Sequence, residues 1–256
     1  MNLVRKLCLS GIALLWLGQP MAIGQIVNIE SKRIATDSAG WFGSARVSFA
    51  GSKTTKETFA FSANTRLEYK SKSNNDLWLL LSDLSLVTGD KEKFSNAGFG
   101  HLRYNRKLGG TVRWEVFTQI QYNSLTKVDK RILFGTGPRF KLTKLDKARF
   151  YFGLAYMYEE EYLIEPILVH KDHRLSSYLS FTLLPEDEVT FINTTYIQPL
   201  FEDISDYRIS NESSLNLAIT KKLILGMSLR YGFDARPPEG VPKTIYAFAN
   251  YIEVQF

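Results

Sequence analysis

The sequence predicts an all-β chain, an antiparallel up-and-down transmembrane β-barrel of about twelve strands, and three observations predict it. Apolar and polar residues alternate at period two over most of the chain, with no stretch of helical period beyond two turns. The last segment, Val241 to Phe256, keeps that alternation up to an aromatic residue bearing the chain's own carboxylate. A soluble sandwich seldom ends on a bare apolar strand, because its edge invites pairing with other chains, whereas a closed membrane barrel has no free edge. Finally, connections and aromatic residues sort between the two strand ends as a barrel in a membrane requires.

The chain opens with a targeting segment. Arg5 and Lys6 are followed by an apolar run, Leu7 to Leu17, too short to span a bilayer, and then by the small residues Ala22-Ile23-Gly24. Residues 1–24 therefore read as a signal peptide, 25–39 as an N-terminal periplasmic segment and 40–256 as the barrel, which places the mature protein in the bacterial outer membrane. The only cysteine, Cys8, lies in the leader, which excludes disulfides, zinc–thiolate sites and a cysteine nucleophile from the mature chain. The formal charge of +6 comes from basic residues spread along the chain, not clustered, which argues against a nucleic-acid partner. No later apolar run is long enough for a spanning helix.

Each strand follows from parity. The first, from Gly40, sets Trp41, Val47 and Phe49 against Ser44, Arg46 and Ser48. The second sets Phe59, Phe61, Leu67 and Tyr69 against Ser62, Asn64, Arg66 and Glu68. The third, Leu77 to Val87, is apolar on both faces, and only Asp83 and Ser85 turn Trp78, Leu80, Leu84 and Leu86 outward. In the fourth, Leu102 and Tyr104 oppose Phe99, His101 and Arg103. The fifth is a plain ladder, with Trp114, Val116, Ile120 and Tyr122 against Arg113, Glu115, Gln119 and Gln121. The sixth sets Ile132, Phe134 and Phe140 against Arg131, Gly135 and Arg139, and Pro138 within it marks a bulge or an irregular pair, since proline cannot donate to the ladder. Phe150, Phe152, Leu154, Tyr156 and Tyr158 share a face of the seventh. The eighth turns Leu175, Leu179 and Phe181 away from Arg174, Ser176, Tyr178 and Ser180. The ninth, Val189 to Gln198, has no clear parity. The tenth sets Tyr207, Ile209 and Leu215 against Arg208, Ser210, Glu212 and Ser214, the eleventh Leu225, Met227 and Leu229 against Ser228 and Arg230. In the twelfth, Tyr246, Phe248, Ile252, Val254 and Phe256 share the apolar face and form an assembly signal. Because the third and ninth are weakly patterned, counts of ten or fourteen stay open.

From a periplasmic start, the outer connections are Ser52 to Lys56, Thr88 to Ser95, Asn123 to Lys130, Glu159 to Asp172, Pro199 to Ser205 and Asp234 to Lys243. Those on the periplasmic side, such as Arg106 to Thr111 and Leu184 to Glu188, are mostly shorter. Trp41, Tyr69, Trp78, Tyr104, Trp114, Phe140, Phe150, Phe181 and Phe256 fall near the periplasmic strand ends, and Tyr122, Tyr158, Tyr207, Phe233 and Tyr246 near the others. Two aromatic bands around an aliphatic belt are what membrane interfaces select.

One block carries a family resemblance: Gly98-Phe99-Gly100, Leu102-Arg103-Tyr104-Asn105, Trp114-Glu115 with Phe117, Gln119, Gln121 and Asn123, and Arg131, Leu133, Gly135, Gly137 and Arg139, with Gly40-Trp41-Phe42-Gly43 at the start. It resembles the bacterial domain-of-unknown-function family 481, which includes salt-induced outer-membrane proteins. The resemblance implies an outer-membrane barrel with a link to salt stress, and carries over no catalytic residue.

Parity aims Arg46, Arg66, Glu68, His101, Arg103, Arg113, Glu115, Gln119, Arg131, Arg139, Arg174, Arg208, Glu212, Arg230 and Glu253 inward, a polar and net basic lumen. Such a wall either favours anions through a narrow pore or closes the barrel as a structural or partner-binding component of the envelope. Ser177, Asn211 and Ser213, with Asn193 or Thr194 between them, put polar groups mid-strand on the outward side, which suggests contact with another membrane protein. Beyond outer-membrane lipid and the barrel-assembly machinery, no other partner is indicated. No cofactor or metal is called for. His170 and His173 with Asp172 make a weak metal constellation, and Gly-x-Ser-x-Gly and His-Glu-x-x-His are absent. His173 and Ser177 lie ~13 Å apart along a strand, too far for a dyad. A lipid-modifying hydrolase is nonetheless the alternative from another class, and a soluble periplasmic lipid-binding barrel a third.

Overall fold

Period-two alternation becomes twelve antiparallel strands in the computed structural model, which describes residues 38–53, 57–89, 92–143, 145, 147–220 and 223–254. They are β1 (Gly40–Lys53), β2 (Glu57–Lys70), β3 (Asp76–Gly89), β4 (Glu92–Gly109), β5 (Val112–Asn123), β6 (Val128–Lys141), β7 (Ala148–Leu163), β8 (Leu168–Glu186), β9 (Val189–Pro199), β10 (Tyr207–Ala218), β11 (Leu223–Asp234) and β12 (Thr244–Val254). Each pairs with its neighbours in sequence, so the sheet is a single meander from β1 to β12. Among the described residues no pairing joins β1 to β12, and the sheet is open at that seam. The expected leader, nearly all of the N-terminal segment, the side chains of Arg46, Glu253 and Val254, and Phe256 lie outside the described residues.

Burial is inverted relative to a soluble protein. Leu80, Leu102, Ile120, Phe134, Leu179, Ile197 and Leu229 are exposed on the convex face, while Glu68, His101, Arg103, Glu115, Arg131 and Arg208 are buried on the concave one. An apolar outside around a polar inside is the arrangement of a barrel in lipid. Cross-strand aromatic pairs band the end that carries the start of β1 and the end of β12, here the terminal end. Trp41 stacks on Tyr69 at 4.8 Å between ring centroids and Trp78 on Tyr104 at 4.6 Å. Phe150 and Phe181 continue the band. At the opposite loop end Tyr207 meets Phe233.

The weak parity of β3 has a packing cause, because inward Leu77, Leu79 and Leu81 form an apolar cluster with Phe99 inside the lumen. At Pro138 the β6–β7 pairing is interrupted without a change of register. Opposite it the β7 backbone comes so close that a Cβ on Gly137 would stand 2.0 Å from the Leu154 carbonyl oxygen. Proline removes the donor and glycine the side chain, so the two chains can touch there.

Several expected connections are strand. Thr88 to Ser95 is taken up by β3 and β4, and Glu159 to Asp172 shrinks to residues 164–167 because β7 and β8 run on as a paired hairpin. The twelfth strand starts at Thr244, and the residues before it belong to the loop. Length therefore separates the two ends less than expected. The long connections that remain, 200–206 and 235–243, are both at the loop end.

Candidate functional site: a lumen filled on one side

Near the loop end five charges meet inside the sheet. Arg131 of β6 binds Glu161 of β7 at 2.6 Å and lies 3.8 Å from Glu159. Arg208 of β10 binds Glu161 at 2.9 Å, Asp234 of β11 at 2.9 Å, and Glu159 through its other nitrogen. All five are buried. Because β7 and β10 are not neighbours, Arg208 reaching both carboxylates of β7 shows that the sheet is strongly curled. Beside the knot, Arg174 of β8 binds Asp172 at 2.8 Å and Asp206 at 3.0 Å.

Deeper in the lumen, Glu115 of β5 receives Arg103 at 3.3 Å, Arg139 at 3.6 Å and the Tyr178 hydroxyl of β8 at 3.0 Å. His101 shares a hydrogen bond with Gln119, which donates to Gln121, and its ring stacks between Phe99 and Phe117. Large rings lie over glycines of the paired strand, Phe117 over Gly135 and Tyr178 over Gly153, where a Cβ would meet ring atoms at 2.1 and 2.0 Å. What remains among these groups is a cavity of about 30 Å³, room for a water molecule. The β3–β9 half of the lumen is thus filled by its own side chains.

The other half is not built this way. Small residues recur on the inward face of β10 to β12, at Ser210, Ser214, Gly226, Ser228, Gly232, Ala247 and Ala249, with Ser62 on β2, whose other inward side chains include Asn64, Arg66, Glu68 and Lys70. Tyr251 lies flat over Gly226 and donates to Asn216. On this wall Arg230 lies 3.8 Å from Glu212, with the arginine side chain 36% exposed against 12% for the glutamate. Arg66 is also part exposed, whereas Glu68 is buried.

Of the residues expected to line the lumen, Glu68, His101, Arg103, Glu115, Gln119, Arg131, Arg139 and Arg208 are buried. Arg113 donates to the Asn74 and Asn75 carbonyls of the β2–β3 turn, at the terminal end. The expectation of a net basic lumen changes. Glu159, Glu161, Asp172 and Asp234, which parity left in connections, face inward and offset the arginines. A signal for them was present, since Tyr156, Tyr158 and Tyr162 continue the alternation of β7 through Glu159 and Glu161.

On the outward side, Asn193 donates to Ser213, Ser213 to Asn211, Asn211 to Thr195 and Thr195 to Asn193, a closed ring of four hydrogen bonds. Ser177 donates to the Ile197 carbonyl. The polar groups that suggested a membrane partner therefore satisfy one another within the chain. Tyr246, Phe248 and Ile252 are exposed on the convex face of β12. The groups weighed for chemistry are dispersed: Asp172 is held by Arg174, and His173 shares a hydrogen bond with the Tyr156 hydroxyl.

Comparison with known proteins bears on the fold. Among solved structures, the NanC porin is similar with a TM-score of 0.50 at 11% identity, covering 82% of this chain and 100% of that one. The KdgM porin gives a TM-score of 0.44 at 13% identity over 84% of this chain and 99% of that one, and a bacterial polysaccharide outer-membrane secretin 0.46 at 12% over 85% and 86%. At such identities the likeness to NanC shows a shared porin-type fold and nothing about what passes through it. No curated protein matches. The family model described as "Protein of unknown function, DUF481" matches residues 45–252, from within β1 to within β12, and the chain belongs to that family.

Proposed function

We propose that this protein is an integral outer-membrane barrel that passes small solutes along one side of its lumen, with a modest preference for anions. The observation that carries the reading is the unequal filling of the two halves: large paired side chains occupy the β3–β9 side, while serine, glycine and alanine recur among the inward residues of β10 to β12. A barrel that only had to be closed would need no such division. The anion preference rests on Arg230 and Arg66, whose side chains are more exposed than those of Glu212 and Glu68. The start of β1 and the end of β12 lie at the same end of the sheet, which in such barrels is the periplasmic side.

Single-channel recording tests this reading. The wild-type protein is expected to conduct weakly, with a reversal potential in a salt gradient shifted toward the anion. Arg230→Glu is expected to move that potential toward the cation, and Ser228→Trp to reduce the conductance. Absence of conductance in the wild type, or a clear cation preference, overturns the proposal.

A further inference from the structure

The outward side of the β7–β8 hairpin, toward the loop end, carries a row of rings and charges that stand outside the lumen. Leu154, Tyr156, Tyr158, Glu160 and Tyr162 alternate with the buried Met157, Glu159, Glu161 and Leu163, so all five are on the convex face. The row begins at Phe201 of the β9–β10 connection, whose ring lies 6.2 Å from that of Tyr156. His173 of β8 stands between Tyr156 and Tyr158, at 5.8 and 5.3 Å between ring centroids. Above it Glu160 accepts from the Tyr158 hydroxyl at 2.7 Å and from the Tyr162 hydroxyl at 3.1 Å, and the Lys171 ammonium lies 3.5 Å away. The Lys130 ammonium of β6 ends the row, 4.3 Å from the centre of the Tyr162 ring.

Height sets this row apart from an ordinary aromatic band. At the terminal end each ring pair, Trp41 with Tyr69 or Trp78 with Tyr104, fills one cross-strand position. From Tyr156 to Tyr162 the strand advances by ~20 Å, or ~15 Å in height at the tilt of a barrel strand. A phospholipid headgroup layer adds ~5–8 Å to the hydrocarbon on each side. Leu154 is the last aliphatic residue on this face of β7, which puts the hydrocarbon boundary near Tyr156. Glu160, Tyr162, Lys130 and Lys171 then stand above the level where a phospholipid headgroup ends, and a larger headgroup is needed to meet them.

The side chains state its chemistry. Ring faces pack on the C–H faces of sugars, a carboxylate and tyrosine hydroxyls bond sugar hydroxyls, and Lys130 and Lys171 attract phosphate substituents. We propose that this row docks the phosphorylated saccharide headgroup of an outer-leaflet glycolipid, with the acyl chains lying along the exposed Leu154, Leu179 and Ile197 below it. The proposal requires the loop end to face outward, as in the reading above, and does not require the lumen to conduct.

Native mass spectrometry of the full chain in detergent tests it, with lipopolysaccharide, phosphatidylglycerol and inorganic phosphate as probes. The wild type is expected to bind lipopolysaccharide about ten-fold more tightly than phosphatidylglycerol. Tyr158→Ala with Tyr162→Ala is expected to weaken lipopolysaccharide binding about five-fold and to leave phosphatidylglycerol binding within about two-fold. Lys130→Glu with Lys171→Glu, which leaves the rings in place, is expected to weaken lipopolysaccharide binding by more than about ten-fold. Millimolar inorganic phosphate is expected not to displace the lipid. Equal affinity of the wild type for the two lipids overturns the proposal, as does unchanged lipopolysaccharide binding in either double variant that keeps the heat-modifiable folded form. Displacement by inorganic phosphate overturns the lipid as occupant. The readout is binding, so a wild type that fails to conduct sinks the pore and not this site, and loss of the lipid preference sinks this site and not the pore.

Discussion

Arg208 is the residue on which most of the lumen's charge depends. Moving an ion out of water is unfavourable by several kcal/mol, and this is offset only when its partners are close and numerous. Arg208 has three carboxylate partners, Glu159, Glu161 and Asp234, and Arg131 shares two of them. Arg208→Leu leaves Asp234 without its ion-pair partner and Glu159 and Glu161 to Arg131 alone. Breaking a buried network this way is expected to cost ~3–5 kcal/mol, seen as a lower temperature at which the folded, heat-modifiable form is lost on gels. Arg236→Ala, at an exposed pair, is expected to leave that temperature within experimental error. Period-two parity was enough to aim Arg131 and Arg208 inward. It did not find their partners, because a run such as Glu159-Glu160-Glu161 reads as a solvated loop until the strand carrying it is seen to continue.

At the scale of elements, the β7–β8 hairpin shows where local pattern stops being informative. Tyr156 to Leu163 alternates as well as any strand, but its charges resemble those of a surface connection; pairing with β8 as far as Leu163 with Leu168 makes it strand. The polar ring on β9 and β10 is a similar case. Asn193, Thr195, Asn211 and Ser213 look costly in lipid one at a time, and become inexpensive only when register sets Asn193 opposite Ser213 and Asn211 opposite Thr195. The pair of Asp203, in the β9–β10 connection, with Arg236 has a pH dependence of definite sign. The Ser205 hydroxyl and amide, with Arg236 beside them, hold the Asp203 carboxyl below its ordinary range. A depressed carboxyl contributes to folded-state stability at every pH above its unfolded value, and that contribution is lost only as pH falls through the lowered one. Asp203→Asn is therefore expected to leave the pH dependence of the temperature at which the folded form is lost unchanged between about pH 7 and about pH 5, and to flatten it only in acid below the usual aspartate range.

For the whole molecule, the inverted distribution of apolar and polar residues is what a chain needs when lipid replaces water outside it. The backbone of every strand must then find a partner strand, and closure of β1 on β12 would supply the last pair. The outward aromatic and aliphatic residues of β12, Tyr246, Phe248 and Ile252, belong to that seam. Deleting Phe256, two residues beyond the last residue of β12 in sequence, is expected to reduce the amount of folded protein recovered from membranes while leaving the single-channel conductance of inserted molecules unchanged. A changed conductance with normal assembly would place the terminus in the lumen.

The sequence by itself determined the all-β class, a count of about twelve strands with ten or fourteen left open, the inward and outward faces of most strands and the aromatic bands, because a pleated strand sorts successive side chains to opposite sides whatever its neighbours are. Tertiary structure decided which inward charges meet, which half of the lumen is filled and where the longest loop lies. Those depend on how far the sheet curls, and curvature brings together strands such as β7 and β10 that no local pattern connects.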